Sequence, residues 1–237
     1  RIELVVTMLP GSNCGACGRP GCHAFAESLV NGEFMPGKCS VSSPSGIEAI
    51  AAFLGVNAGF EEKRVARLLC AGGKQESHNQ ADYYGQGTCR SVSMVTGGNK
   101  DCVWGCLGLG DCARVCKFNA IAMNEDGLPG VEVDLCTACN DCVEVCPKEL
   151  FTIMPVSQKL IVQCRSLLEG DSALERCSVA CNACTRCVAE PAPGLIQMLH
   201  NLAVLHYTKN EWASPPATKP CPTNAIVWVE GRQFKKK

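Results

Sequence analysis

Aromatic residues are scarce in this chain, because only 5% of its 237 residues are Phe, Trp or Tyr. We therefore do not expect a large conventional hydrophobic core. The chain also lacks any run of about 18 consecutive apolar residues, so we expect no segment of it to span a membrane. Its formal net charge of −1 provides no strongly basic surface, and we expect no nucleic-acid partner.

Catalytic patterns are missing as well. No G-x-G-x-x-G fingerprint follows a strand and opens a helix, so a dinucleotide-binding domain is not indicated. We find no pairing of a nucleophile with a base. Any chemistry must then be that of a bound cofactor, while the protein sets its binding, spacing and potential.

Cysteine is what the chain has in excess, with 20 residues. A short secreted chain this rich in cysteine would be a disulfide scaffold. This chain is too long for that class, and its cysteines fall in C-x2-C runs. The composition therefore favours metal binding in a reducing compartment.

The most specific run is C-x2-C-x2-C-x3-C-P, which extends from Cys136 to Pro147. It is the bacterial ferredoxin run for a [4Fe–4S] cluster, whose fourth cysteine ligates a neighbouring cluster. A looser run from Cys102 to Cys116 supplies the partner. We predict two clusters with crossed ligands, one on Cys102, Cys106, Cys112 and Cys146, the other on Cys116, Cys136, Cys139 and Cys142. A zinc site is the alternative that also uses C-x2-C pairs.

A third site is predicted near the N-terminus. Three cysteines lie in a glycine-rich loop and a fourth follows after a longer gap, and together they can surround one more cluster: Cys14, Cys17, Cys22 and Cys39. His23 is adjacent and could be a ligand, but four cysteines already close the site. We therefore expect His23 at the surface or at the start of a helix.

The last third of the chain resembles a second ferredoxin-like unit that has lost one cluster. The cysteines that remain would all serve one cube: Cys181, Cys184, Cys187 and Cys221. The positions that would serve the other cube carry Pro191, Glu211, Ser214 and Ala217. Cys177 is a rival fourth ligand because it precedes Cys181 closely. We favour Cys221 because Pro222 follows it, as Pro147 follows Cys146.

The remaining cysteines belong to no C-x2-C pattern. Cys70 and Cys89 are either an extra ligand pair or buried thiols, and we favour buried thiols, since a free cysteine packs as a small hydrophobe. Cys164 and Cys177 stay unassigned, with structural thiols as the default interpretation. The sequence therefore predicts four [4Fe–4S] clusters in total.

The predicted fold is α+β and built from small iron–sulfur modules. An N-terminal four-cysteine domain (1–45) and a connecting segment (46–95) precede a dicluster ferredoxin domain (96–158) and a second ferredoxin-like domain (159–237). Each ferredoxin-like unit is expected to be a βαβ unit with pseudo-twofold symmetry. We predict helices over 23–30 and 47–54, a hairpin turn at Asp126-Gly127, and either a helix or a strand within 61–69.

In these cysteine motifs, the chain resembles the B subunits of the Rnf electron-transport complexes. The resemblance is carried by residues 9–22 (LPGSNCGACGRPGC), Tyr84-Gly85, residues 105–112 (GCLGLGDC) and the run that begins at Cys136. It covers most of the length, and the first and third of these stretches are specific together.

The resemblance implies an iron–sulfur subunit that takes electrons from reduced ferredoxin and relays them into a membrane complex. That complex reduces NAD at a flavin subunit and couples this to sodium or proton export. The subunit would sit at the cytoplasmic face of the membrane, peripheral in this chain, with a membrane helix just upstream in related subunits. The alternatives are a soluble adaptor that feeds a hydrogenase or electron-bifurcating enzyme, and a zinc-bound interaction module.

Overall fold

The computed structural model describes residues 1–189 and 194–234, so Pro191 and the basic residues 235–237 lie outside the described residues. It contains short helices and short strands in a mixed α+β arrangement. The α-helices are α1 (Ile2–Met8), α2 (Cys22–Val30), α3 (Pro44–Leu54), α4 (Cys89–Ser93), α5 (Asp111–Val115), α6 (Asp141–Glu144), α7 (Gly170–Arg176) and α8 (Arg186–Ala189). Short 3-10 helices occupy Pro36–Lys38, Tyr207–Trp212 and Pro215–Thr218.

The strands pair in twos. They are β1 (Arg64–Leu68), β2 (Ile121–Met123), β3 (Pro129–Val131), β4 (Phe151–Pro155), β5 (Leu160–Val162), β6 (Ile196–Leu199), β7 (Leu202–Leu205) and β8 (Ile226–Trp228). The two-stranded sheets are β1–β4, β2–β3, β5–β8 and β6–β7. Within the described ranges, no helix is long and apolar enough to cross a membrane.

The chain forms two compact units. The first unit comprises 1–65 and 136–140, and the second comprises 66–135 and 141–237. In the first unit, α1 packs on α2, and Phe25 and Leu29 are buried together with Val5. The helix predicted over 23–30 is confirmed and begins one residue earlier, with its apolar residues on one face.

Helix α3 confirms the second predicted helix and shows why it begins and ends where it does. The Ser43 hydroxyl accepts a hydrogen bond from the Gly46 N–H, and Pro44 occupies the first turn, where no N–H is needed. Gly55 ends the helix in the left-handed region, with φ of 72°. These are local signals, which is why the sequence reveals them.

In the second unit, the hairpin predicted at Asp126-Gly127 is confirmed. Strands β2 and β3 are antiparallel, with Ile121 opposite Val131. Gly127 takes φ of 75° in the connecting turn, a conformation that suits glycine. The undecided stretch within 61–69 is the strand β1.

The C-terminal third contains two antiparallel strand pairs. Strand β8 pairs antiparallel with β5, with Ile226 opposite Val162. Strands β6 and β7 form a hairpin within the long segment that separates Cys187 from Cys221.

Candidate metal centres

All twenty cysteines carry unbridged thiols, and many of them lie where a short helix or strand ends. In the first unit, Cys17 lies close to Cys14 and Cys39. Burial raises the pKa of the Cys17 thiol, and the charges of Cys14 and Cys39 raise it further. Cys22 packs against the same apolar core as Cys17 and Cys39. The structure thus brings the predicted N-terminal set together.

Asn13 shapes the loop that carries this set. Its Oδ1 accepts a hydrogen bond of 2.8 Å from the Cys22 N–H, at the start of α2. A Cβ at Gly21 would lie 2.9 Å from the same oxygen, so only glycine fits there without a shift. His23 is more than half exposed and faces Glu3 and Glu27, which confirms the prediction of a surface residue.

In the second unit, four cysteines line one apolar cavity, namely Cys89, Cys106, Cys112 and Cys146. Burial raises the pKa of Cys112 to about 12, with further contributions from Cys89, Cys142 and Cys146. The sequence grouped Cys102 with Cys106, Cys112 and Cys146. In the structure Cys89 lines the cavity with those three, whereas Cys102 lies beside Cys70.

A hydrogen bond between the residues that follow Cys89 and precede Cys112 holds Cys89 at the cavity. Cys89 is the first residue of α4, which Thr88 caps by accepting a hydrogen bond from the Ser91 N–H. The buried Asp111 accepts a hydrogen bond of 3.2 Å from the Arg90 N–H. Since Asp111 precedes Cys112, this bond holds Cys89 and Cys112 close. Cys89 is isolated in the sequence, so no spacing rule identifies it.

The set predicted on Cys116, Cys136, Cys139 and Cys142 stays a prediction from the sequence. Cys136 and Cys139 belong to the first unit, and Cys116 and Cys142 to the second. Within the first unit, the Ser40 hydroxyl donates a hydrogen bond of 2.9 Å to the Thr137 carbonyl.

The C-terminal cysteines come together as the sequence grouped them. Burial raises the pKa of Cys187 to about 11, and the thiolates that raise it further are those of Cys181, Cys221 and Cys184. Cys177 is not among these neighbours. The cysteines that raise the pKa of Cys177 are instead Cys70, Cys102 and Cys164. These electrostatic neighbours favour Cys221 over Cys177 as the fourth member of the set.

The backbone takes the same conformation after the last cysteine of each cysteine run. The residue three positions after Cys116, Cys146 and Cys221 has a left-handed φ in every case, namely Asn119 (52°), Glu149 (51°) and Asn224 (56°). The residues that flank the second cysteine of each C-x2-C-x2-C run also have positive φ: Ala138, Asn140, Ala183 and Thr185. The equivalences inferred from sequence spacing thus have a conformational counterpart.

Within the part of the chain that the structure describes, no group of three or more His, Cys, Asp or Glu side chains converges closely enough to hold a single metal ion. Zinc–sulfur bonds of about 2.3 Å place the thiolates of a zinc site about 3.8 Å apart. A [4Fe–4S] cube carries each thiolate on a different iron. Four thiols around a cube therefore share a cavity or loop without converging on a point.

These features define an iron–sulfur protein of the electron-transfer class. A family model described as "Putative Fe-S cluster" matches residues 9–41, the segment that carries the N-terminal set.

Three relatives extend the comparison to nearly the whole chain. The B subunit of the Na(+)-translocating ferredoxin:NAD(+) oxidoreductase complex of Acetobacterium woodii is 41% identical, over 95% of this chain and 68% of its own length. The B subunit of the ion-translocating oxidoreductase complex of Methanosarcina acetivorans is 36% identical, over 95% of this chain and 85% of its own. The B subunit of the proton-translocating ferredoxin:NAD(+) oxidoreductase complex of Clostridium ljungdahlii is also 36% identical, over 95% and 80%.

The chain belongs to this family of B subunits of ion-translocating, Rnf-type oxidoreductase complexes. The resemblance inferred from the sequence motifs is confirmed. The chain is therefore an electron-transfer subunit that works with other subunits of such a complex.

Proposed function

We propose that this chain is the iron–sulfur relay of a ferredoxin:NAD oxidoreductase complex. It accepts electrons from reduced ferredoxin and passes them to partner subunits, including a flavin subunit that reduces NAD, at the cytoplasmic face of the membrane. The names of the relatives from Acetobacterium woodii and Clostridium ljungdahlii, which include ferredoxin and NAD(+), support this assignment.

The observation that carries the proposal is the repetition of one local architecture. Both the central and the C-terminal part contain a loop with three cysteines and, further along the chain, a fourth cysteine. In both parts, the residue three positions after this fourth cysteine has a left-handed backbone conformation. This pattern supports two ferredoxin-like units, each related to a dicluster ferredoxin. The proposed cluster sites are then the N-terminal set, the two central sets and the C-terminal set.

Eight of the twenty cysteines are buried, and the other twelve are partly exposed. When bound, a [4Fe–4S] cluster supplies a one-electron carrier whose potential depends on burial, nearby charge and hydrogen bonds to sulfur. The Leu150 N–H donates to Cys146 Sγ at 3.5 Å, which stabilises negative charge on that sulfur. Burial lowers the pKa of Lys148, whereas Cys102 and Cys146 raise it, so this cation lies next to two candidate ligands.

The proposal is tested by direct electron transfer from ferredoxin. The full chain, purified without oxygen, is mixed with ferredoxin that has been reduced by a stoichiometric amount of dithionite. We expect the visible absorbance of the chain to bleach, and to recover on reoxidation. The same ferredoxin mixed with chain stripped of iron is the matched control.

The outcome also separates the two alternative functions. A chain that contains iron but exchanges no electrons with reduced ferredoxin would support an adaptor for another donor. A colourless chain that contains zinc in place of iron would contradict the relay altogether and favour an interaction module.

A further inference from the structure

Four cysteines are left without a partner set once Cys89 is placed beside Cys106, Cys112 and Cys146. All four are almost fully buried: Cys70 (7% exposed), Cys102 (9%), Cys164 (8%) and Cys177 (6%). They come from separate parts of the sequence, and no motif connects them. In the structure, three independent contacts bring them together.

The first contact joins the ends of two strands. Cys70 lies just beyond β1, and Cys164 lies just beyond β5. The Ala71 N–H donates a hydrogen bond of 3.0 Å to the Gln163 carbonyl, between residues adjacent to the two cysteines. Cys70 and Cys164 are therefore neighbours, although 93 residues separate them in the chain.

The second contact is an ion pair between Asp101 and Arg176, whose side chains are in direct contact. Asp101 precedes Cys102, and Arg176 precedes Cys177 at the end of α7. The ion pair therefore aligns the segments that carry these two cysteines. The Ser178 N–H also donates to the Glu76 carbonyl at 2.9 Å, which fixes Cys177 on its other side.

The third contact joins the two pairs at Gly72. A Cβ built on Gly72 would lie 2.9 Å from Cys177 Sγ and 3.8 Å from Cys70 Sγ. The absence of a side chain there lets both sulfurs approach the same backbone. Consistent with this closeness, burial raises the pKa of Cys177 to about 12, and Cys70, Cys102 and Cys164 raise it further.

The group also has hydrogen-bond donors and a cation. The Cys106 N–H points at Cys70 Sγ at 3.4 Å, and the Cys181 N–H points at Cys164 Sγ at 3.3 Å. The buried Lys100 donates to the carbonyls of Gly72 and Cys106. Backbone N–H groups and a positive charge stabilise thiolates, so once iron replaces the thiol protons these groups would offset part of the cost of burying the negative charge of a cluster.

We propose that Cys70, Cys102, Cys164 and Cys177 hold an additional [4Fe–4S] cluster, and that Cys89 replaces Cys102 in the central set. The site lies between two others, because its sulfurs accept hydrogen bonds from the backbone of a central ligand, Cys106, and of a C-terminal ligand, Cys181. It would therefore link the central and C-terminal sets in one relay. The cluster type rests on the proposed function.

The number of bound irons tests the proposal without any variant. The full chain, purified without oxygen and reconstituted, should contain about twenty irons and as much acid-labile sulfide, since each set holds four irons. About sixteen irons would overturn the additional site. Zinc in place of iron, or no metal, would instead overturn the proposed function, so the two failures are distinguishable.

A pair of double variants tests which cysteines share a site. Cys102→Ser and Cys106→Ser remove ligands of different clusters under this proposal, so the double variant should lose about eight irons. Cys89→Ser with Cys106→Ser should lose only about four, and so should Cys70→Ser with Cys177→Ser. A loss of only four irons from the Cys102 and Cys106 variant would return Cys102 to the central set and contradict the proposal.

The electron paramagnetic resonance spectrum of each reduced variant supplies a second readout. The variant with Cys70→Ser and Cys177→Ser should lose one component and keep the one that the Cys89 and Cys106 variant loses. Loss of the same component from both variants would contradict two separate sites.

Discussion

Gly72 is the residue at which a single methyl group would meet a sulfur. Its substitution Gly72→Ala places a Cβ 2.9 Å from Cys177 Sγ, so either the sulfur or the backbone must shift. We expect the variant to lose about four irons and about 1–3 kcal/mol of unfolding free energy. Iron analysis and thermal unfolding measure both.

The matched control for this change is Gly87→Ala. A Cβ at Gly87 meets no atom within 4 Å. This variant should keep its iron and its stability. If Gly72→Ala behaved like Gly87→Ala, the tight approach of Cys70 and Cys177 to Gly72 would be wrong.

Lys100 supplies a buried positive charge that acts on Cys102. It is only 7% exposed, and its charge lowers the pKa of Cys102 against the larger effect of burial. A cation stabilises the more negative reduced state of a cluster. Lys100→Gln should therefore shift the reduction potential of the cluster held by Cys102 to more negative values, by roughly tens of millivolts. A spectroscopic redox titration measures the shift.

The partly exposed Lys159 is the control for this charge. Lys159→Gln also removes a positive charge from the second unit, but its partner is the exposed Glu230. All potentials should stay unchanged in that variant. If the reduction potentials shifted equally in both variants, the shift would come from the change in net charge and not from the buried position of Lys100.

Which site residues the sequence reveals depends on how far apart they lie along the chain. Cys181, Cys184 and Cys187 share one loop, so their spacing alone predicts a common cluster. Cys70 and Cys164 come together only because β1 and β5 end side by side. Composition and spacing contain no information on that pairing, which is why buried thiols were the expected role for these cysteines.

At the scale of the element, the turn after each fourth cysteine carries a testable strain. Glu149 has φ of 51°, a left-handed conformation that asparagine adopts more readily than glutamate. Asn119 and Asn224 occupy the equivalent positions. Glu149→Asn should therefore raise the unfolding free energy by up to about 1 kcal/mol, with no loss of iron.

The reciprocal change is the control for this turn. Asn119→Glu places the unfavourable residue at the equivalent position, where φ is 52°. It should lower the unfolding free energy by a similar amount. Thermal unfolding in which both variants moved in the same direction would contradict the equivalence of the two turns.

The elements that the sequence predicts are those with local signals. Helix α3 has Ser43, Pro44 and Gly55 at its ends, and the β2–β3 hairpin has Asp126-Gly127 at its turn. The stretch within 61–69 could not be decided, because its partner strand β4 lies more than 80 residues further along the chain. Distant pairing decides such segments, and local propensity does not.

At the scale of the whole molecule, crossed ligation predicts that loss of the last cysteine of one run damages the cluster held mainly by the other run. Cys146→Ala should damage the central set that contains Cys106, and Cys116→Ala should damage the other. The double variant with Cys106→Ser and Cys146→Ala should therefore lose about four irons, whereas Cys139→Ser with Cys146→Ala should lose about eight. Electron paramagnetic resonance of the single variants should show different components missing. The opposite pattern would mean that each run closes its own cube.

The relay as a whole depends on how many thiolate sets carry a cluster. Native mass spectrometry of the full chain, purified without oxygen, measures this number in a single species. The twenty cysteines form sets of four, so the dominant species should carry five [4Fe–4S] clusters. A dominant species that carries zinc, or only the two clusters of the central sets, would contradict the account.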